Sequence, residues 1–332
     1  MADNQKKLSI VIPCFNEVEN VELMCFAVEN VLEEALPQYD YEILFIDNCS
    51  TDGTRDRIEG LCAKNKKVKA IFNVTNFGQF NSPFYALCQA TGDCAICMGC
   101  DFQDPVELIP RFVHEWENGH KIVSGIKTSS KENPFIYFLR SVYYKMIKSM
   151  STTEMIEQFT GFGLYDKSFL ALLRKLDDPI PFIRGIVAEY GHGFNRIEVP
   201  YEQPRRRAGK THNNFYSLYD AAMLSFTSYT KVGLRIATFL GFGASALSLL
   251  VALFYLIYKL THWYSFDTGN APMLIGIFLI GSIQLFFIGL IGEYILNINT
   301  RVIHRPLVVE EKRINFEEVQ REPSDRNEEK EA

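Results

Sequence analysis

Hydrophobic positions in this chain follow two different rhythms, and the switch between them falls near residue 230. Before it, short runs rich in Ile, Val, Leu and Phe recur at 8–13 (LSIVIP), 41–47 (YEILFID), 68–73, 94–101, 121–125 and 196–201, each with the length of a buried strand. Between them, apolar residues return at helical spacing over 17–36, over 52–65 behind a Ser50/Thr51 cap, over 79–90, and over 105–118 behind an Asp104 cap. Strands alternating with helices predict an α/β domain with a mostly parallel, Rossmann-like sheet covered on both faces. After residue 230 come two long apolar runs, 234–258, uncharged after Arg235, and 271–292. At ~1.5 Å per residue, about 22 residues suffice to cross a hydrocarbon layer of ~30 Å. A buried core helix rarely reaches that length without a polar face. The connector 259–270 is short, so the pattern predicts a hairpin of two membrane-spanning helices, at about 234–258 and 271–296.

Charge decides the orientation expected of the hairpin. Lys231 and Arg235 precede the first run, and Arg301, His304, Arg305, Lys312 and Arg313 follow the second, whereas the connector carries one lysine. The positive-inside rule then puts both halves in the cytoplasm and the chain in the cell (inner) membrane, with Trp263 and Tyr264 at the far interface. The polar N-terminus enters a strand by Leu8, leaving no room for a signal peptide. The expected organisation is a cytoplasmic domain over 1–211, a juxtamembrane amphipathic helix over 212–233, the spans within 234–297, and a cytoplasmic tail over 298–332. Residues 310–332, dense in Glu, Arg, Asn and Ser, read as a solvated, disordered end that carries most of the formal charge of −6. That balance gives no support to nucleic-acid binding. Among the eight cysteines, Cys94, Cys97 and Cys100 resemble a metal ladder, but a three-residue step alternates strand faces, so they read as small apolar fillers.

In a parallel sheet, ligands collect where the strands end, because the loops there face a common crevice. Four such ends carry acids and amides: 13–17 (PCFNE), 47–52 (DNCSTD), 76–79 (NFGQ) and 101–104 (DFQD). One shared site explains all four. Asp101 closes an apolar run and, with Gln103 and Asp104 behind it, offers the hard oxygens that Mg²⁺ or Mn²⁺ accepts while holding a diphosphate. Asp104 reads equally as the cap of the 105–118 helix. Asp47 could take hydrogen bonds from a nucleobase or ribose, and Glu17 could do related work or cap a helix.

The segments IVIPCFNE (10–17), DNCSTDGT (47–54), NFGQ (76–79) and DFQDPVE (101–107) together resemble the glycosyltransferase family 2 enzymes of GT-A fold. The hairpin narrows the likeness to polyisoprenyl-phosphate glycosyltransferases related to dolichol-phosphate mannose synthase. This resemblance, over about 8–307, implies an inverting, metal-dependent transfer of a sugar from a nucleotide donor to a membrane-held polyprenyl phosphate, undecaprenyl phosphate in a bacterium. A UDP-hexose is the donor expected. Carried over by motif, Pro13, Glu17, Asp47 and Asn76 are expected at the nucleotide, Asp101 and Gln103 at a Mg²⁺ or Mn²⁺ ion, and Asp101 and Asp104 as the catalytic carboxylates. The chain departs from the family pattern at Gly99, where many relatives have an acid, and at Gly161-Phe162-Gly163, where an Asp-Phe-Arg stretch is common.

Arg205, Arg206, Arg207 and Lys210 form a basic cluster after the last strand, with Arg207 and Lys210 expected as a clamp on phosphate. A juxtamembrane patch for anionic headgroups is the alternative, and both can hold at once. Aromatic and basic stretches at 134–150 and 214–231 suit interfacial helices or, alternatively, core helices. Small residues in the spans, Ala237, Gly241, Ser245, Gly289 and Gly292, permit close helix contact within the hairpin or in a homo-oligomer. Two rival readings are a processive polysaccharide synthase, which two spans and the lack of a Gln-x-x-Arg-Trp motif disfavour, and a non-catalytic membrane scaffold on a nucleotide-sugar fold.

Overall fold

The computed structural model describes residues 5–129, 156–176, 178, 181–204, 206–208, 223, 243, 250, 257, 260–261, 270–302 and 306–316. The expected interfacial segment 134–150 and Lys210 lie outside the described residues, as does 214–231 apart from Met223. Of the first apolar run, Gly243, Leu250 and Ile257 are described, all helical.

The strands are β1 (Lys7–Cys14), β2 (Asp40–Asp47), β3 (Val68–Asn73), β4 (Cys94–Cys97), β5 (Ile122–Ser129), β6 (Phe159–Asp166), β7 (Arg196–Glu202) and β8 (Glu310–Ile314). They form a single sheet in the order β7-β5-β6-β4-β1-β2-β3-β8. The pairs β1–β2, β1–β4, β2–β3 and β5–β7 are parallel, while β6 runs antiparallel to β4 and β5, and β8 antiparallel to β3. Helices α1 (Val21–Ala35), α2 (Thr54–Lys64), α3 (Gly78–Gln89), α4 (Ile109–Glu117), α5 (Lys167–Lys175) and α6 (Ile183–Tyr190) cover it.

The strand sequences explain the three layers. Side chains alternate across a strand, so an unbroken apolar run needs cover on both sides. Leu8, Ile10 and Ile12 of β1, with Ile43 and Phe45 of β2, pack under Met24 and Val28 of α1, Ile58 and Leu61 of α2, and Phe112 of α4. Val11, Leu44, Ile46 and Ile71 face the other way, against Phe84 and Leu87 of α3, Phe169 and Leu173 of α5, and Ile186 of α6. Cys94 and Cys97 fall on these opposite faces, and all eight cysteines are free thiols. Burial pushes the Cys97 thiol up to about 12, which leaves it an inert filler.

Several expectations are corrected. The strand expected over 94–101 stops at Cys97: the Met98 N–H makes the last bond to β1, at the Val11 carbonyl, and the chain leaves the sheet after it. The helix expected from Glu17 begins at Val21. The N-cap position of α2 is Gly53, at φ 92°, not Ser50 or Thr51, and Asp52 just before it accepts the Thr54 N–H at 3.1 Å. Strand β6 went unassigned in the sequence, and the tail expected to be disordered from residue 310 begins instead with β8, whose Asn315 end is fixed by hydrogen bonds to the Cys62 and Val68 carbonyls at 2.7 and 2.8 Å.

The second apolar run lies in α7 (Asn270–Val302), a helix of 33 residues with Met273, Ile277, Leu285, Phe286, Ile288 and Leu296 exposed along it. Taken over the described residues alone, no helix is long and apolar enough to cross a membrane, so neither span of the expected hairpin is established by the structure.

Candidate active site

Parallel pairing brings the ends of β1 to β4 to one edge of the sheet, with Cys14 opposite Asp47 and Asp47 opposite Phe72. The loops that follow are stitched to one another. After β1, Asn16 donates its N–H to the Ser50 hydroxyl at 2.8 Å and accepts from the Thr51 N–H at 2.9 Å, while the Glu17 N–H reaches the Thr54 hydroxyl at 2.9 Å. Asn48 then ties the second loop to the third: its amide donates to the Asn76 side-chain oxygen at 2.8 Å, and its oxygen accepts from the Phe77 N–H at 2.9 Å. Three non-glycine residues in these loops, Asn16, Cys49 and Phe102, have φ of 55°, 66° and 60°. Left-handed backbone is costly for side chains such as Cys and Phe, and it persists where the surroundings hold it for a purpose.

Acids gather on the β1 and β4 side of the crevice. Asp101 accepts the Gln103 backbone N–H at 3.1 Å. Asp104 does not cap the following helix, which starts with a 3-10 turn at Val106–Leu108. Its oxygens take the Gly99 N–H at 2.8 Å and the Tyr201 hydroxyl at 3.1 Å, so the sidestepping of β4 at Gly99 and the end of β7 jointly place it. Burial, reinforced by nearby Asp101, pushes its carboxyl up to about 6 despite the Gly99 amide, Lys127 and Tyr201. Glu17 is buried, and burial pushes its carboxyl above the ordinary value by more than the Asn20 amide and Arg206 bring it down. Among the described residues, Arg206 is the cation paired with Glu17 and Asp101. Its guanidinium is hydrogen-bonded to Glu17, lies 3.9 Å from Asp101, and donates to the Ala208 carbonyl at 3.1 Å. Arg207 instead lies over the Phe102 ring, 5.1 Å from its centroid.

Asp47 is placed differently from its sequence expectation. Its carboxylate is fully enclosed, accepting the Ser50 N–H at 3.0 Å and Arg55 at 2.7 Å, so it fixes the turn that borders the crevice and presents no oxygen to it. Asn76 spends its side-chain oxygen on Asn48 and on the Gly78 N–H at 2.8 Å. Pro13 sits within β1 opposite Ile46. Of the expected residues, Glu17, Asp101 and Asp104 converge, Gln103 contributes its backbone, and Asp47 and Asn76 shape the neighbouring loops. The sequence reading took in Asn48 only as part of the 47–52 segment, did not single out Arg55 or Tyr201, and favoured Arg207 above Arg206. Arg55, directly after the DNCSTDGT segment and one residue inside α2, carried a positional hint.

The departures from the family pattern have local causes. A Cβ at Gly99 would sit 3.3 Å from an Asp101 oxygen and 3.4 Å from an Asp104 oxygen, so both carboxylates face the space that an acid there would enter. Gly161 has φ +102°, and a Cβ on Gly163 would come within 2.4 Å of the Val123 carbonyl. No arginine fits at 163 while β5 and β6 stay paired. Gly163→Ala is expected to cost about 1–3 kcal/mol by overpacking, read as a lower Tm with the far-UV spectrum retained.

The donor set suits a hard divalent cation. Asp101 and Asp104 point into a common space, but among the described residues no group of three or more His, Cys, Asp or Glu side chains is arranged for a metal. Mg²⁺ is commonly held by one or two carboxylates, with phosphates and water filling the remaining positions.

Acids and amides at the ends of parallel strands, beside an arginine, form a polar crevice at one edge of the sheet. The chain belongs to Glycosyl transferase family 2, whose sequence profile matches residues 9–179. Among curated relatives, an uncharacterized glycosyltransferase of Bacillus subtilis, YkoT, is 32% identical, covering 92% of this chain and 91% of its own. The bactoprenol glucosyl transferase of Shigella phage SfX is 29% identical over 90% of this chain and 97% of its own. Among solved structures, glucosyl-3-phosphoglycerate synthase from Mycobacterium tuberculosis, in complex with Mn²⁺, UDP and glucosyl-3-phosphoglycerate, aligns with a TM-score of 0.47 and 15% identity over 67% of this chain and 78% of that one. So distant a likeness speaks to neither ligand nor reaction.

Proposed function

We propose that this protein transfers a sugar from a nucleotide-sugar donor, a UDP-hexose, to a polyprenyl phosphate at the cytoplasmic face of the cell membrane, with inversion at the anomeric carbon. The observation that carries the reading is the meeting of Glu17, Asp101, Asp104 and Arg206 at the strand ends. The relatives named bactoprenol glucosyl transferase, matched over nine tenths of the chain, supply the acceptor class. Asn270 to Gly292 of α7 contains no charged residue and shows apolar side chains outward, as the second arm of a membrane hairpin would. The GT-A fold and a GT-A type metal site belong to the same reading.

A phosphate monoester has a second pKa of ~6, so the acceptor is already largely ionised at neutral pH and needs no strong base. Orientation then dominates over proton transfer. Asp101 and Asp104 would hold Mg²⁺ or Mn²⁺, which when bound neutralises charge on the departing nucleotide diphosphate. Arg206 adds positive charge beside Asp101. The enclosed Asp47 and the Asn48–Asn76 link keep the loops on the nucleotide side from drifting, and Arg207 and Lys210 are the proposed contacts for lipid phosphate.

The test is incubation of the full-length protein in detergent with radiolabelled nucleotide sugars and undecaprenyl phosphate. Label extractable into organic solvent is the expected product. Labelled polymer would support a polysaccharide synthase instead, and no product with any donor would support a non-catalytic scaffold.

A further inference from the structure

We infer that the strand following α7 is a working part of the donor pocket, with Glu311 and Arg55 as positioning residues that hold the turn after β2. The inference rests on the reading of that crevice as the nucleotide site.

Arg55 uses all three guanidinium nitrogens. Nε donates to the enclosed Asp47 carboxylate at 2.7 Å, Nη2 to the Asn73 carbonyl at 2.5 Å, and Nη1 to Glu311 at 2.7 Å. One side chain therefore joins the end of β2, the end of β3 and the C-terminal strand. Among the described residues it is the cation hydrogen-bonded to Asp47, whose carboxylate in turn fixes the Ser50 N–H. Ser50 receives the Asn16 N–H, so the chain of bonds runs from Glu311 to the loop that carries Glu17. The register of β8 is pinned on either side of Glu311. Val309 accepts from the Val74 N–H at 3.1 Å, Glu310 from the Tyr85 hydroxyl at 2.8 Å, and beyond the strand the Asn315 amide donates to the Cys62 and Val68 carbonyls at 2.7 and 2.8 Å.

An exposed ion pair contributes little to stability by itself. Glu311 is half exposed, but its partner reaches a carboxylate with no exposure, so its effect falls on the placement of Arg55 rather than on folding. Since β8 follows α7 after a short connection, the same segment ties the proposed membrane helix to the donor side of the crevice.

The experiment titrates UDP and GDP by calorimetry into the full-length wild type and into Glu311→Ala, Glu311→Gln, Arg55→Lys and Lys312→Ala. Lys312→Ala, in the same strand, should bind as wild type does. Both Glu311 variants should weaken nucleotide binding roughly threefold, the scale of one exposed ion pair. Arg55→Lys should weaken it about tenfold, because a lysine cannot form the fork. Tm and the KM for undecaprenyl phosphate should stay unchanged in the Glu311 variants. Wild-type binding that survives intact in both Glu311 variants, or that Lys312→Ala weakens equally, overturns the inference alone. Absence of UDP and GDP binding by the wild type overturns the donor-site reading and this inference with it.

Discussion

Replacing Asp101 with Asn should reduce sugar transfer by roughly a thousandfold or more, the scale of removing a preorganised electrostatic group from a reaction centre. The substitution is chosen to keep the fold. Asn is nearly isosteric, its side-chain carbonyl can still accept the Gln103 N–H, and Asp101 lies in the loop beyond β4 with a partly exposed side chain. What is lost is the charge that a divalent cation and Arg206 both respond to. Two measurements separate this from general damage: transfer of label from nucleotide sugar to undecaprenyl phosphate, and Mn²⁺ binding followed by electron paramagnetic resonance. Both should fall together at unchanged Tm. Full activity in the Asn variant would remove Asp101 from the chemistry and leave Asp104, more deeply placed, as the remaining acid of the β4 loop.

How far the structure could be read in advance depended on what each segment buries. Strands β1, β2 and β3 were legible because both of their faces are covered, which writes an unbroken apolar run into the sequence. Strand β6 (FTGFGLYD) escaped because Gly161 and Gly163 interrupt the run, Gly163 where β5 approaches closely and Gly161 where the backbone takes a φ of +102°. Strand β8 (EEKRI) reads as a charged tail, yet an edge strand can be charged since one side of its ladder faces solvent. For the site, the acids and amides were visible as strand-end residues, a property of one local segment at a time. Their partners were not: Arg206 meets Glu17 across 189 positions of sequence, and Arg55 meets Glu311 across 256. Periodicity carries no information at such separations. The enclosure of Asp47 went unread for the same reason, because it depends on which cation the fold delivers to it.

Two acids of the site and one of the scaffold differ in how far their partners offset burial. Glu17 and Asp104 are pushed upward by burial that their partners do not fully offset, so each still favours additional positive charge. Glu42, near the start of β2 and away from the crevice, is the opposite case. Burial alone would raise it, but Lys69 at 2.7 Å, Ser9 at 2.6 Å, the Thr91 N–H at 2.7 Å and Lys7 at 2.9 Å together bring it down to about 2. Measured against an ordinary value of 4.5, that depression corresponds to about 3 kcal/mol of folding stability. Because the folded value is the lower one, this contribution is complete above about pH 4.5 and is lost as pH falls through about 2. Glu42→Ala should therefore cost about 3–5 kcal/mol at neutral pH, since it leaves Lys69 largely buried without its counter-charge. The measurement is thermal unfolding of wild type and variant in the same detergent from pH 7 to pH 3. The gap in Tm should be widest at neutral pH and narrow steadily below pH 4.5, whereas a gap that stays constant across the acid range would show that Glu42 supports the sheet through shape and not through charge.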